Sequence, residues 1–399
     1  MTIVALLVSL SLIMYLINKK YPMGGAIFLG ALVLALLAGL RPTAIMSIVI
    51  KTITNPNTLE LVFSVYLIGV LGSMMQGYGV IEKMMEYLEK SFKSVKLLLF
   101  IVPSLLSTFS VAGSAVFAAP VIDVLGDKIG VTKERKAAIN LYVRHAWYFI
   151  LPITASLLYA AYLADVSVWA LIRVQAPVAV ICLFAAYIVY IAPLKDVQLV
   201  SGSSENRTQI ISKTLFYTSP LIVTIIMVIW FPFYIGLLVG CLLSFLLRTK
   251  AGNFGEMLRT KQGLNMVYAA AAIMVFKGVI DGIPGIRILI QGLIDKGMPL
   301  ELLLFVLPLV MGYILANPQA LVGMLFPILL PLVPQEQVLA TAAFINIVGF
   351  VAYYISPLHL CQALTNEYFC VSTKDLYREY KITVPVMLIS GIINYLFFR

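Results

Sequence analysis

The chain has 399 residues, of which 61% are hydrophobic and 12% charged, with a mean hydropathy of +1.00 and a net charge of +10. A soluble domain carries about 25% charged residues, so the bilayer is the solvent for most of this surface and no soluble domain is attached. The positive balance falls in loops, where contact with anionic lipid accounts for it, and no nucleic-acid partner is needed.

Apolar stretches at residues 3–17, 24–40, 169–192 and 216–231 approach the roughly 20 residues that cross a hydrocarbon core of about 30 Å. They do not alternate polar with apolar positions, which argues for helices over barrel strands. No charged region precedes the first stretch, and Lys19 and Lys20 follow it without an Ala-x-Ala site, so it reads as a retained helix. Residues 80–90 place Ile81, Met84, Met85 and Leu88 on one face and Glu82, Lys83, Glu86 and Glu89 on the other, which predicts a helix lying along the interface, with a counterpart at 286–296. The next segments, 97–125 and 302–333, are about 30 residues each. Ser110, Ala112, Gly113 and Ser114 break the first, and Ala316, Asn317, Pro318 and Gln319 the second. Each half is too short to cross, so each segment predicts a re-entrant hairpin.

Matches recur at one offset of 205 residues (302 minus 97): Leu97-Leu-Leu-Phe100 with Leu302-Leu-Leu-Phe305, Pro103 with Pro308, Pro152 with Pro357, Val166-Ser167 with Val371-Ser372, and Gly77 with Gly282. Pro22 and Gly30 match Pro232 and Gly240 at a nearby offset. The expected fold is therefore an all-α polytopic membrane protein of two repeats, each with five transmembrane helices and one re-entrant hairpin. Residues 1–92 form a first half of three spans and an interfacial helix, 93–196 hold a hairpin and two spans, 197–211 are a polar linker, and 212–297 and 298–399 repeat the two halves. Five crossings per copy is an odd number, so the copies are inverted.

Under this topology most of the 28 Lys and Arg residues, from Lys19 and Lys20 through Lys133, Arg135, Lys136, Arg207 and Lys213 to Arg378 and Lys381, collect on one side. Only Arg41, Lys51, Arg287, Lys296 and Arg399 fall on the other. The positive-inside rule makes the rich side cytoplasmic, which predicts a cytoplasmic (inner) membrane protein with both termini outside.

Acidic residues stay near the span ends, and the deep charge is Arg144, followed by His145. It lies roughly 10 to 12 Å inside a span that begins near Ala137 and is broken at Pro152. One reading is a helix break where Arg144 and His145 face a substrate, the guanidinium fork matching a carboxylate. The other is an arginine reaching back to the headgroups beside a packed histidine. The second of the chain's two histidines, His359, follows Pro357, the repeat partner of Pro152. The hairpin tips add hydroxyls, amides and half-helix ends suited to anions and sodium, although small residues also serve packing. The substrate-binding candidates are Ser110, Ala112, Gly113, Ser114, Arg144, His145, Asn317, Pro318, Gln319 and His359. Ser107, Asn140, Asn346 and Ser356 are the candidates for a coupling ion. Cys182, Cys241, Cys361 and Cys370 lack paired spacing and read as packing residues, without a disulfide or zinc signal. No His-Glu-x-x-His, Gly-x-Ser-x-Gly or paired intramembrane aspartate occurs, so an enzyme is not expected.

Three spans, an interfacial helix, a hairpin and a proline-broken span, repeated in inverted form, resemble the ion transporter superfamily, including divalent-anion/sodium symporters, gluconate permeases and aminobenzoyl-glutamate transporters. The run Arg144-His-Ala-Trp-Tyr148 leading to Pro152 resembles more specifically the uncharacterised membrane family called domain of unknown function 401. The resemblance implies an elevator-type transporter, with a dimeric scaffold of the first three spans of each repeat and a mobile transport domain of hairpins and broken helices. The Ser-Asn-Thr tip motif of the dicarboxylate symporters is replaced here by Ser110-Val-Ala-Gly-Ser114 and Ala316-Asn-Pro-Gln319. The expected function is secondary transport of a small organic anion, coupled to Na+ or H+, by a homodimer without a resident cofactor. The alternative is a cation/proton antiporter in which a histidine titrates.

Overall fold

Short local signals start the helices. Ser94, Thr132, Ser167, Thr260, Asn317 and Ser372 each precede a helix and accept a hydrogen bond from a backbone N–H of its first turn, satisfying donors that a helix leaves orphaned. The computed structural model describes residues 2–108, 115–198 and 206–399. Among them there are helices and no strand.

The chain forms α1 (Thr2–Asn18), α2 (Met23–Leu37), α3 (Pro42–Ile53), α4 (Pro56–Gly77), α5 (Val80–Ser91), α6 (Val95–Leu106), α7 (Ala115–Asp127), α8 (Lys133–Ala146), α9 (Ala155–Ala164) and α10 (Val168–Ala186). Beyond residue 205 follow α11 (Arg207–Trp230), α12 (Phe233–Leu246), α13 (Phe254–Leu258), α14 (Lys261–Asp281), α15 (Pro284–Asp295), α16 (Leu300–Leu315), α17 (Pro318–Leu329), α18 (Val338–Tyr354), α19 (Leu360–Phe369), α20 (Thr373–Glu379) and α21 (Thr383–Phe398). The starts of α4, α6, α8, α9 and α10 lie 205 residues (360 minus 155 for α9) before those of α14, α16, α18, α19 and α20.

Packing pairs also have counterparts. α2 lies on α14 as α12 lies on α4, α9 on α17 as α19 on α7, α6 on α8 as α16 on α18, and α1 on α15 as α11 on α5. Two glycines set two of the closest crossings. A Cβ at Gly30 of α2 would meet Ile13 of α1 at 2.2 Å, and one at Gly240 of α12 would meet Thr224 of α11 at 2.1 Å. Small residues allow such backbone approach inside a membrane.

Among the described residues, five helices are long and apolar enough to cross a membrane: Pro56–Gly77, Val168–Ile191, Arg207–Trp230, Phe254–Asp281 and Gln335–Tyr354. α20 and α21, bent by 58°, make a sixth if taken together. The other apolar helices are shorter; α1, with 17 residues, is roughly 25 Å long, less than a hydrocarbon core. The protein is thus a polytopic helical membrane protein, although ten full-length crossings are not met by length alone.

α5 has the expected amphipathic face, with Ile81, Met84, Met85 and Leu88 buried, and its Tyr87 stacks on Tyr217 of α11 with ring centroids 5.7 Å apart. α6 and α7 pack on each other, as do α16 and α17. At the second turn Ala316 takes a left-handed conformation (φ 44°) and Asn317 caps α17. α8 and α18 are deeply enclosed, buried almost throughout from Lys136 to Ala146 and from Ala340 to Tyr354.

Candidate functional site

Both enclosed helices end inside the protein. α8 passes into a 3₁₀ turn at Trp147–Phe149 and the chain stays non-helical until Ala155. α18 stops at Tyr354, and α19 begins at Leu360. Each gap contains a proline, Pro152 or Pro357, which supplies no N–H and disfavours helix at the residue before it. The second gap is stitched to its surroundings: Ser356 Oγ donates to the Tyr313 carbonyl of α16 (2.7 Å) and accepts from Leu358 N (3.2 Å), while the Tyr377 hydroxyl of α20 donates to the Ile355 carbonyl.

The end of α8 and the second gap meet. The His145 and His359 rings stand edge to face with centroids 4.9 Å apart. His145 Nδ1 donates to the Leu141 carbonyl (2.7 Å) and His359 Nδ1 to the Tyr354 carbonyl (3.3 Å). A carbonyl only accepts, so each ring carries its proton on Nδ1 and keeps the Nε2 lone pair. The Tyr353 hydroxyl donates to His359 Nε2 at 2.7 Å. Aromatic rings wall the pair: Tyr354 at 5.3 Å and Phe350 at 6.1 Å from His145, with Tyr148 stacked on Phe350 at 3.9 Å. Arg144 is buried beside them, within electrostatic reach of Cys361, Tyr353 and both histidines. One ring nitrogen from each histidine and the Cys361 Sγ all lie within 4.8 Å of one another. A positive guanidinium, two imidazoles, a thiol and a phenol converge here in a largely apolar shell.

The other sequence candidates are dispersed. Asn140, fully buried on α8, donates from Nδ2 to Thr365 Oγ1 of α19 at 3.2 Å. Asn346 of α18 donates to Gln175 Oε1 of α10 at 3.1 Å. Ser107 caps the end of α6 and donates to the Ser104 carbonyl. Asn317 accepts from Ala320 N at 3.0 Å, so its amide has a backbone role, and Pro318 and Gln319 follow it half-buried in the first turn of α17. Ser110, Ala112, Gly113 and Ser114 lie outside the described residues.

Cys361 is the main addition to the expected set, its Sγ lying within 4.8 Å of a ring nitrogen of both histidines. The available signal was its place two residues after His359. Tyr353 and Gln175 carried none, because their partners are set by contacts between separate elements. A family model described as "Protein of unknown function (DUF401)" matches residues 1–398. No curated protein matches the chain.

Proposed function

Because the chain belongs to this DUF401 family, whose description assigns no activity, we propose a function from the site itself: secondary active transport of a small organic anion, a carboxylate, across the cytoplasmic membrane, coupled to Na+ or H+. The observation that carries this reading is the meeting of two interrupted helices at His145 and His359 beside buried Arg144. Interrupted helices near the middle of a membrane protein present polar backbone only where it is enclosed or lines a path, and a buried arginine is retained there at a cost. Its planar fork suits a carboxylate.

The architecture proposed for this task is two inverted repeats, each with five crossings and one re-entrant hairpin, as in the ion transporter superfamily. Helix starts and packing pairs that recur at the same offset support it, and the charge asymmetry supports the inversion. α1–α5 and α11–α15 form the scaffold and seat of a homodimer, while α6–α10 and α16–α21 move together by an elevator-like alternation. The contacts between these groups, made chiefly by α14 with α17, α4 with α9 and α1 with α16, leave each group packed mainly on itself.

Gradient-driven uptake in proteoliposomes, guided by a thermal-shift screen of purified protein against organic acids in Na+ and K+, tests the proposal, since a ligand of the native state raises its stability. Wild type should show saturable uptake and Arg144→Ala should lose it while remaining folded; normal apparent affinity in Arg144→Ala would remove the arginine from the site. The close imidazole pair favours one competing reading, a cation/proton antiporter. A Na+-driven pH change without any organic solute selects that reading instead.

A further inference from the structure

The cluster at the meeting of the two gaps holds more than an arginine. We propose that His145, His359 and Cys361 form a binding site for a borderline transition-metal ion of the Zn2+ class, with two imidazole nitrogens and one thiolate as ligands. This does not depend on the transport of an organic anion.

The three ligand atoms lie within 4.8 Å of one another. Zinc bonds of about 2.0–2.1 Å to nitrogen and 2.3 Å to sulfur bring ligand atoms to within about 3.5 Å of each other in a tetrahedron, so rotamer adjustments of about 1 Å close the site. The supporting hydrogen bonds are already made. Both Nδ1 atoms donate to backbone carbonyls, of Leu141 and Tyr354, the arrangement that fixes a metal-binding imidazole with Nε2 as the ligand. The Leu141 carbonyl lies one turn before His145 in α8, and the Tyr354 carbonyl ends α18 across the gap from His359, so backbone groups hold both ring orientations. The Tyr353 hydroxyl now hydrogen-bonded to His359 Nε2 gives up that lone pair to the metal and stands beside it.

Ligand softness decides the class of ion. The set has nitrogen and sulfur and no carboxylate, which suits zinc and its neighbours and disfavours Mg2+ or Ca2+. Binding requires the thiolate, so the Cys361 proton leaves to solvent as the S–metal bond forms. Arg144 beside the cluster opposes a bare divalent charge. The thiolate offsets one unit, and an anion in the fourth coordination position, shared with the guanidinium, offsets another. Three protein ligands with one open position is the pattern of a reactive or exchangeable metal site rather than a purely structural one.

The test uses full-length, metal-stripped protein in detergent, with Co2+ as the spectroscopic probe and Zn2+ as its competitor. One Co2+ per chain should bind, with a sulfur-to-cobalt charge-transfer band in the near ultraviolet and tetrahedral visible bands, all displaced by Zn2+. Cys361→Ser should lose the charge-transfer band, His359→Gln should weaken binding at least 10-fold, and Cys370→Ser, an exposed thiol, should change neither. Failure of folded wild type to retain Co2+ or Zn2+, or an unchanged spectrum in Cys361→Ser, overturns the proposal. If the site variants do not fold, alkylation of wild type decides: Zn2+ should slow N-ethylmaleimide labelling of Cys361 at least 10-fold, and equal labelling with and without Zn2+ overturns it. Metal binding can hold while organic-anion uptake fails, and the reverse, so the two proposals stand or fall separately.

Discussion

Asp165 and Cys370 hold the same backbone conformation at the ends of α9 and α19, φ 54° and ψ 45° for one, φ 52° and ψ 49° for the other. In each case the following valine sends its N–H back to a carbonyl five residues earlier, Val166 to Ala161 (3.0 Å) and Val371 to Asn366 (2.9 Å). This closes a helix with a left-handed cap and places an apolar residue just beyond it. Ser167 and Ser372 then cap the next helices.

The two caps predict different responses to glycine. A left-handed non-glycine residue costs about 1–2 kcal/mol, less for aspartate, and glycine gives back roughly 0.4–1 kcal/mol through unfolded-state entropy. Cys370→Gly should therefore stabilise by about 0.5–1 kcal/mol and Asp165→Gly by close to nothing. Thermal melts of the two variants in one detergent check this, and a destabilised Cys370→Gly would contradict it.

Those caps also explain what could be read from the chain. Val166-Ser167 and Val371-Ser372 match because each residue has a local backbone task, and Pro22 and Pro232 match because both precede α2 and α12. The helix gaps near Pro152 and Pro357 were visible for the same reason. Contacts made across the fold were not. Cys361 meets His145, which belongs to another element far away in the chain, and Gln175 meets Asn346 in the same way. The 58° bend between α20 and α21 is marked in the sequence by Pro385, which has no N–H to give the Lys381 carbonyl and so interrupts the helix at the bend. It is held by Tyr142 and Tyr190, whose hydroxyls bond the Thr383 carbonyl (2.9 Å) and Thr383 Oγ1 (2.8 Å). Span counting was limited because apolarity reports the solvent of a helix, whereas its length depends on where a cap or proline stops it.

The amphipathic helix α5 carries a pH dependence of defined sign. Glu86 accepts from Lys83 (2.7 Å) and Lys90 (2.6 Å), and these hydrogen bonds hold its carboxyl down to about 2, from an ordinary 4.5. A carboxyl depressed by folding stabilises the protein above its unfolded value, and that contribution is lost as pH falls from 4.5 towards 2. The pairs are part-exposed, so screening keeps the effect below about 1 kcal/mol. Glu86→Gln should lower stability slightly at pH 6 and match wild type at pH 2. A larger gap between them at pH 2 would reverse the sign.

Gln175 and Asn346 are buried together between α10 and α18, at 0% and 1% exposure, and share one hydrogen bond of 3.1 Å. Removing either partner strands the other, which costs about 1–3 kcal/mol, whereas removing both avoids that penalty. Asn346→Leu and Gln175→Leu should each destabilise by this amount, and the double variant should be no worse than either single one. Simple additivity in the melts would show that the pair is not an energetic unit.

Arg144 separates charge from geometry at the proposed anion site. Lysine preserves the charge but is a compact point charge in place of a planar fork, and it cannot hold a carboxylate through two parallel N–H donors. A single charge-assisted hydrogen bond is worth about 1.5–3 kcal/mol, or roughly 10- to 100-fold in affinity. Arg144→Lys should therefore retain uptake with an apparent affinity lower by that factor, while Arg144→Ala loses uptake entirely. Equal loss in both variants, with both folded, would assign the guanidinium to holding the end of α8 in place. Equal retention would remove Arg144 from the anion site, and the anion would have to be held by the histidines and the hairpin ends alone.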